Sequence, residues 1–266
     1  MYRRLGIRTG LALIGAFFLS LLWVGQVMGN ECTEQSVTAG QATYLGCLES
    51  ENIGGAEVQY AVFKGIQYAT AERWKAPVRT QPQGRVAAKH FGKMCAQDSL
   101  LRPFNEQQMS EECLYLNIWA PDQAKDLPVM VFIHGGAFYI GSGSNPLYTG
   151  TQLAANPKHP KMVVVTLNYR LGIFGFLYND ATTGNYGIQD QMAAIEWVHD
   201  NIQAFGGDPA KVTLVGESAG AMSIGIHLAI PKSQSWFRSV IMESPYYGIP
   251  SGVGTHFLGR GEWLRG

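Results

Sequence analysis

The rhythm of apolar and polar positions divides the chain into unlike stretches. Leu11 to Val24 is an unbroken apolar run behind Arg3, Arg4 and Arg8, and Val27 and Gly29 are small enough for a cleavage site. This is the pattern of an exported protein's signal peptide over residues 1–29. The uncharged stretch Thr9 to Asn30 also has the length to span a bilayer, so an uncleaved signal anchor is the alternative. Val58 to Ile66 reads as a strand and turn, and residues 71–112 are polar and aperiodic, predicting a long loop region. Past Leu114 the rhythm changes to short apolar runs rich in Val, Ile and Leu: Leu114–Trp119, Val129–Ile133, Met162–Leu167, Val212–Val215 and Ser239–Met242. Such runs predict strands buried on both faces.

Between these runs lie helical spacings. Ile188, Met192, Ile195, Val198 and Ile202 recur at three- and four-residue steps, and the helix they predict stops at Phe205-Gly206-Gly207-Asp208-Pro209. A second helix is predicted from about Ala219 to Ala229, ending before Pro231. Strands alternating with helices predict an α/β fold, a mainly parallel sheet with helices on both faces.

Composition removes several function classes. The chain is 46% hydrophobic and 15% charged, with 20 Lys plus Arg against 20 Asp plus Glu. That balance is globular and lacks the basic footprint of nucleic-acid binding. No Cys/His spacing resembles a zinc site, and neither G-x-G-x-x-G nor a Walker loop follows a strand, so no metal and no cofactor is expected. The 4 cysteines fall in two sequence-near pairs, Cys32 with Cys47 and Cys95 with Cys113. Export makes disulfides in these pairs the expectation; buried free thiols are the alternative.

The candidate chemistry sits in two glycine-bearing turns, each directly after an apolar run. Lys211 to Val215 leads into Gly216-Glu217-Ser218-Ala219-Gly220, and a helical segment follows. A G-x-S-x-G sequence between strand and helix is the setting of a nucleophilic serine, here Ser218. Val129 to Ile133 leads into His134-Gly135-Gly136-Ala137-Phe138. A glycine loop there can supply backbone N–H groups to a tetrahedral oxyanion, with Gly136 and Ala137 as two donors and Ala219 as a third.

Longer stretches carry a resemblance. Phe63-Lys64-Gly65-Ile66, Glu112-Cys113-Leu114-Tyr115-Leu116-Asn117-Ile118-Trp119, Asn168-Tyr169-Arg170-Leu171-Gly172, Gly184-Asn185-Tyr186-Gly187 and Phe205 to Gly220 together resemble the type B carboxylesterases. That family includes carboxylesterases, cholinesterases and bile-salt-activated lipase. Glu112 departs slightly, since the family usually has Asp before the cysteine. The resemblance implies an α/β-hydrolase fold, a Cys95–Cys113 disulfide, an oxyanion hole from Gly136, Ala137 and Ala219, and a Ser–Glu–His triad. It also implies hydrolysis of a small-molecule or lipid ester through an acyl-enzyme.

Arg170 and Glu217 are expected to form a buried structural ion pair beneath the turn, because buried charges want partners. The family's acid and histidine lie far beyond the serine, whereas here only Ala219 to Gly266 follow it. His227 lies on the helix after Ser218 and is turned away from it, and His256 sits in the glycine-rich stretch 250–266, which does not resemble the family. The expectation is an N-terminal part of the hydrolase domain over 30–249, lacking the C-terminal strands, followed by an aberrant tail and having little or no activity alone. A non-catalytic adhesion module like the cholinesterase-like adhesion proteins is the alternative, and the retained Ser218 speaks against it. Localisation follows the leader: secreted or periplasmic, or membrane-attached if the leader is uncleaved.

Overall fold

A computed structural model describes residues 32–98 and 108–246. The expected signal segment over 1–29, the tail 250–266 and His256 lie outside the described residues. The chain divides into Met1–Cys32 and Thr33–Gly266, and every strand and helix named here belongs to the second.

Nine strands form one sheet. They are β1 (Thr33–Ala39), β2 (Ala42–Ile53), β3 (Ala56–Gln67), β4 (Gly84–Ala87), β5 (Tyr115–Pro121), β6 (Leu127–Ile133), β7 (Val163–Leu167), β8 (Gly207–Glu217) and β9 (Ser239–Glu243). Their spatial order is β1-β2-β3-β5-β7-β6-β8-β9, with β4 also paired to β2. The half from β7 to β9 is parallel throughout. The half from β1 to β5 is antiparallel except for β4, and β5 meets β7 antiparallel.

The parallel half fits the continuous apolar runs, and all five residues of β7 are buried. The antiparallel half escapes the apolar-run signal, since β1 and much of β2 expose alternate or consecutive residues to solvent. Its strands are joined by tight turns instead. Gly54 and Gly55 have φ of 64° and 90°, the left-handed pair that a two-residue hairpin between β2 and β3 requires. The stretch 71–112 is mostly loop, as expected, yet it contributes β4 to the sheet.

Helices cover both faces. α1 (Thr151–Ala155) closes a smaller core with Cys47, Tyr60, Val62, Trp119 and Val164. On the other face α2 (Gly172–Phe176), α3 (Tyr186–Asn201) and α4 (Ala219–His227) join a larger core that contains Val131, Val163, Val165, Ile195, Val198 and Leu214. Val163 and Val165 point to the larger core and Val164 to the smaller, the period of two expected of a strand. A short α5 (Pro231–Gln234) then leads to β9. Each fully buried Leu, Ile or Val adds about 1.5–3 kcal/mol of transfer free energy.

Cys95 and Cys113 are joined by a disulfide, with Cα atoms 4.8 Å apart. Cys32 and Cys47 are each disulfide-bonded as well, and no cysteine is free among the described residues. Among the described residues no helix is long and apolar enough to cross a membrane.

One expectation is corrected. Arg170 does not pair with Glu217, which lies exposed at the end of β8. Its guanidinium instead grips Asp190 on α3: Nε donates to Oδ2 at 2.8 Å and Nη2 to Oδ1 at 2.7 Å, both residues being buried. The backbone N–H of Arg170 also donates to Asp190 Oδ2 at 3.0 Å. Nη1 donates to the carbonyls of Glu72 and Lys75, which ties down the loop after β3. A fully buried guanidinium needs a buried carboxylate, which Asp190 supplies and the exposed Glu217 does not.

Candidate active site

In sequence β5, β6, β7 and β8 follow one another, but in space β6 lies between β7 and β8. The chain leaves β6 for one side and returns to the other, so a crevice opens at the C-terminal end of β6. Ile133, the last residue of β6, lies opposite Gly216 of β8. The two turns predicted to carry chemistry therefore start at the same level, side by side.

Ser218 sits at the junction of β8 and α4 with φ 54° and ψ −118°. A side chain there is strained, and the surroundings hold it in place. A Cβ on Gly216 would lie 2.6 Å from the carbonyl carbon of Gly220, and one on Gly220 would overlap the Ile133 carbonyl oxygen. Glycine at both flanks is thus required by the close approach of strand, helix and the end of β6. The Ser218 N–H donates to the Glu243 carbonyl of β9 at 2.9 Å. The positive end of α4 lies directly at Ser218, favouring negative charge there.

The loop after β6 is built as a left-handed turn. Gly136, Ala137 and Phe138 have φ of 105°, 53° and 64°. Tyr139 and Ile140 donate their N–H groups to the Gly136 carbonyl, at 3.0 and 3.1 Å, which closes the turn. The N–H groups of Gly136 and Ala137 have no hydrogen-bond partner among the described residues. Gly135 is pressed against the serine turn, for a Cβ there would stand 2.6 Å from Glu217 Oε2 and 3.3 Å from Ser218 Cβ. Gly136, Ala137, Ser218 and Ala219 thus belong to two abutting turns.

His134 supports this loop from within. Its ring is buried and stacks on Tyr169 with centroids 4.4 Å apart, and the Tyr169 hydroxyl donates to the His134 carbonyl at 2.9 Å. Nδ1 lies 2.8 Å from the Gly135 carbonyl oxygen, which can only accept, so Nδ1 carries the proton. Burial pushes the imidazole down to about 4, and it stays neutral at neutral pH.

Behind α4 runs a second buried polar chain. Ser223 Oγ donates to the Ala219 carbonyl at 2.9 Å and accepts from Gln191 Nε2 at 3.1 Å. That leaves Gln191 Oε1 facing His227 Nε2 at 3.0 Å, so this nitrogen donates and Nδ1 accepts from Ser233 Oγ at 3.0 Å. Burial pushes His227 down to about 3. The ring is committed to packing α4 against α3 and α5, in line with the expectation that it is not the base. His199, near the end of α3, is half-buried, with Nδ1 shut off from any partner among the described residues.

Several supporting residues escaped the sequence reading. Asn117, Thr166 and Asn168 hold the segment following the glycine loop: Thr166 Oγ1 donates to the Gly143 carbonyl at 2.6 Å, and the Gly143 N–H donates to Asn168 Oδ1 at 2.8 Å. Asn168 Nδ2 reaches the Cys113 carbonyl at 3.1 Å, and Asn117 Oδ1 accepts from the Gly65 N–H at 2.9 Å. Polar residues inside apolar strand runs were the available signal, because each must find a partner when buried. Asp190 and Gln191 gave the same signal on α3, at helical spacing from buried Gly187, Ala194 and Val198. Among the described residues no group of three or more His, Cys, Asp or Glu could hold a metal ion.

A sheet whose parallel half ends in a glycine loop and a strained strand–serine–helix turn, with helices on both faces, is the α/β-hydrolase architecture. The carboxylesterase family model matches residues 35–256, and the chain belongs to that family. It is 50% identical over 195 residues to the para-nitrobenzyl esterase of Bacillus subtilis (strain 168), covering 68% of this chain and 39% of that protein. It is 43% identical over 205 residues to the bile salt-activated lipase of Rattus norvegicus, covering 72% and 32%. A solved thermophilic PNB esterase superposes with a TM-score of 0.69 at 43% identity, over 80% of this chain and 44% of that one. The chain thus spans between about a third and somewhat over two fifths of the length of these relatives.

Proposed function

We propose that this chain carries the nucleophile and the oxyanion donors of a carboxylic ester hydrolase acting on a small-molecule or lipid ester. Ser218 Oγ attacks the ester carbonyl carbon, its proton passes to a base, and the carbonyl π electrons move onto oxygen. The N–H groups of Gly136, Ala137 and Ala219 receive that oxyanion. Collapse expels the alcohol, which leaves with a proton, and water releases the acid from the acyl-serine by the same steps in reverse. His227, the one described histidine after Ser218, is engaged on both ring nitrogens and is not that base. No hydrogen bond joins Ser218 Oγ to a histidine among the described residues, so turnover by the chain alone is expected to be low and modification of Ser218 by an activated reagent, assisted by the oxyanion donors alone, to be slow but measurable over hours.

The observation carrying this reading is the strained Ser218 turn set against a loop with two unengaged N–H groups. Residues 30–249 form, on this reading, the N-terminal part of the hydrolase domain, with 1–29 as a signal peptide and 250–266 as a tail apart from it. The family match itself runs past Ile249 to residue 256. The disulfides and the leader pattern support export to an oxidising compartment. Incubation with an alkyl fluorophosphonate followed by peptide mass mapping tests the nucleophile: a covalent adduct on Ser218, absent in Ser218→Ala, is expected. An unmodified Ser218 in folded protein would overturn the reading.

A further inference from the structure

Gln97 lies just beyond Cys95 in the disulfide loop, and its side-chain amide pairs with the backbone of Gly141 in both directions. Nε2 donates to the Gly141 carbonyl at 2.9 Å, and the Gly141 N–H donates to Oε1 at 3.0 Å. Nε2 also reaches the Cys95 carbonyl at 3.1 Å. Gly141, at φ 122°, is pressed against the His134 ring so closely that a Cβ would overlap Nδ1. That same nitrogen donates to the Gly135 carbonyl at 2.8 Å. The Gly135 carbonyl and the Gly136 N–H are opposite ends of one planar peptide unit and point in opposite directions. Whatever fixes the carbonyl therefore aims the N–H.

We infer that Gln97 is a positioning residue for the oxyanion donors, holding Gly141 against His134 and thereby the orientation of the Gly136 N–H. The inference rests on the reading of Gly136 and Ala137 as those donors. Glutamine is suited to the place because its amide donates and accepts at once. A carboxylate there accepts from the Gly141 N–H but faces the Gly141 carbonyl without a proton. A protonated carboxyl regains the donor. Among the described residues the titratable groups nearby are Asp98, next in the chain and exposed, and His134 behind Gly141.

The test compares the full chain with Gln97→Met and Gln97→Glu, taking the rate of Ser218 modification by an alkyl fluorophosphonate relative to wild type at each pH. Hydrogen–deuterium exchange over 134–141 is followed in parallel. Gln97→Met is expected to react at least roughly tenfold more slowly at every pH, by analogy with the loss of an oxyanion donor. Gln97→Glu is expected to be as slow near about pH 8 and to recover toward wild type near about pH 4, where a carboxyl of ordinary value about 4.3 has largely gained its proton. A purely structural role gives no such recovery, and the Glu variant decides the matter within one protein should the Met variant fail to fold. Equal rates and equal exchange for all three proteins would overturn the inference. If wild type is not modified at all while Gln97→Met speeds exchange over 134–141, the hydrolase reading falls and the positioning of the loop by Gln97 stands.

Discussion

Single residues show where this fold stores strain and where it spends buried charge. Ser218 occupies φ 54°, ψ −118°, a conformation that glycine tolerates and serine does not. Strain of roughly 1–3 kcal/mol there exceeds the roughly 0.4–1 kcal/mol that glycine costs through the unfolded chain. Ser218→Gly should therefore be more stable in urea than Ser218→Ala by about 1 kcal/mol, while both lose the fluorophosphonate adduct. Equal stability of the two variants would show the turn to be unstrained. Arg170 tests the buried pair. Asp190→Asn leaves a buried guanidinium without its counter-charge and should cost roughly 3–5 kcal/mol, whereas Glu217→Gln, at an exposed site, should stay within about 0.5 kcal/mol. The reverse ranking in urea melts would restore the Arg170–Glu217 pairing. The serine and its glycines were legible because a strand, a tight turn and a helix each leave a local mark. The partner of Arg170 was not, because Asp190 lies twenty positions away on another element and only packing brings it near.

At the scale of elements, α3, α4 and α5 are locked together by the chain Ser223–Gln191–His227–Ser233. A neutral imidazole satisfies every contact in it, and a second ring proton would break the bond from Ser233. Hence His227 is held down to about 3 in the fold and returns to about 6.5 on unfolding. The unfolded state therefore binds more protons between these values, so stability is full above about 6.5 and falls as pH drops toward about 3. The stability of wild type minus that of His227→Gln should decline by about 1.4 kcal/mol per pH unit across this window. A difference that does not change with pH in urea titrations would mean that His227 is charged in the fold. The parallel strands and both long helices were legible from apolar rhythm. The antiparallel strands β1 and β2 were not, since they expose much of their length and are specified by hairpin glycines rather than by apolar runs.

For the whole molecule, the consequential feature is the edge of the sheet at β9. That strand is paired to β8 on one side, and among the described residues no strand pairs its other side. It is also the strand whose Glu243 carbonyl holds the Ser218 N–H, so the Ser218 turn rests on the last strand of the described sheet. Ile241 is 51% exposed there. An exposed apolar residue on the last strand of the described sheet can template association with another chain, and a lysine there is a common natural defence. Folding stability should hardly respond to a change at so exposed a position, whereas association should respond strongly. Ile241→Lys is accordingly expected to lower light scattering of concentrated protein on warming, to leave the unfolding midpoint within about 2 °C, and to leave the extent of Ser218 modification per molecule unchanged. Undiminished scattering would place the associating surface elsewhere. A large fall in the midpoint would mean that Ile241 is buried in solution and that the edge at β9 is already covered.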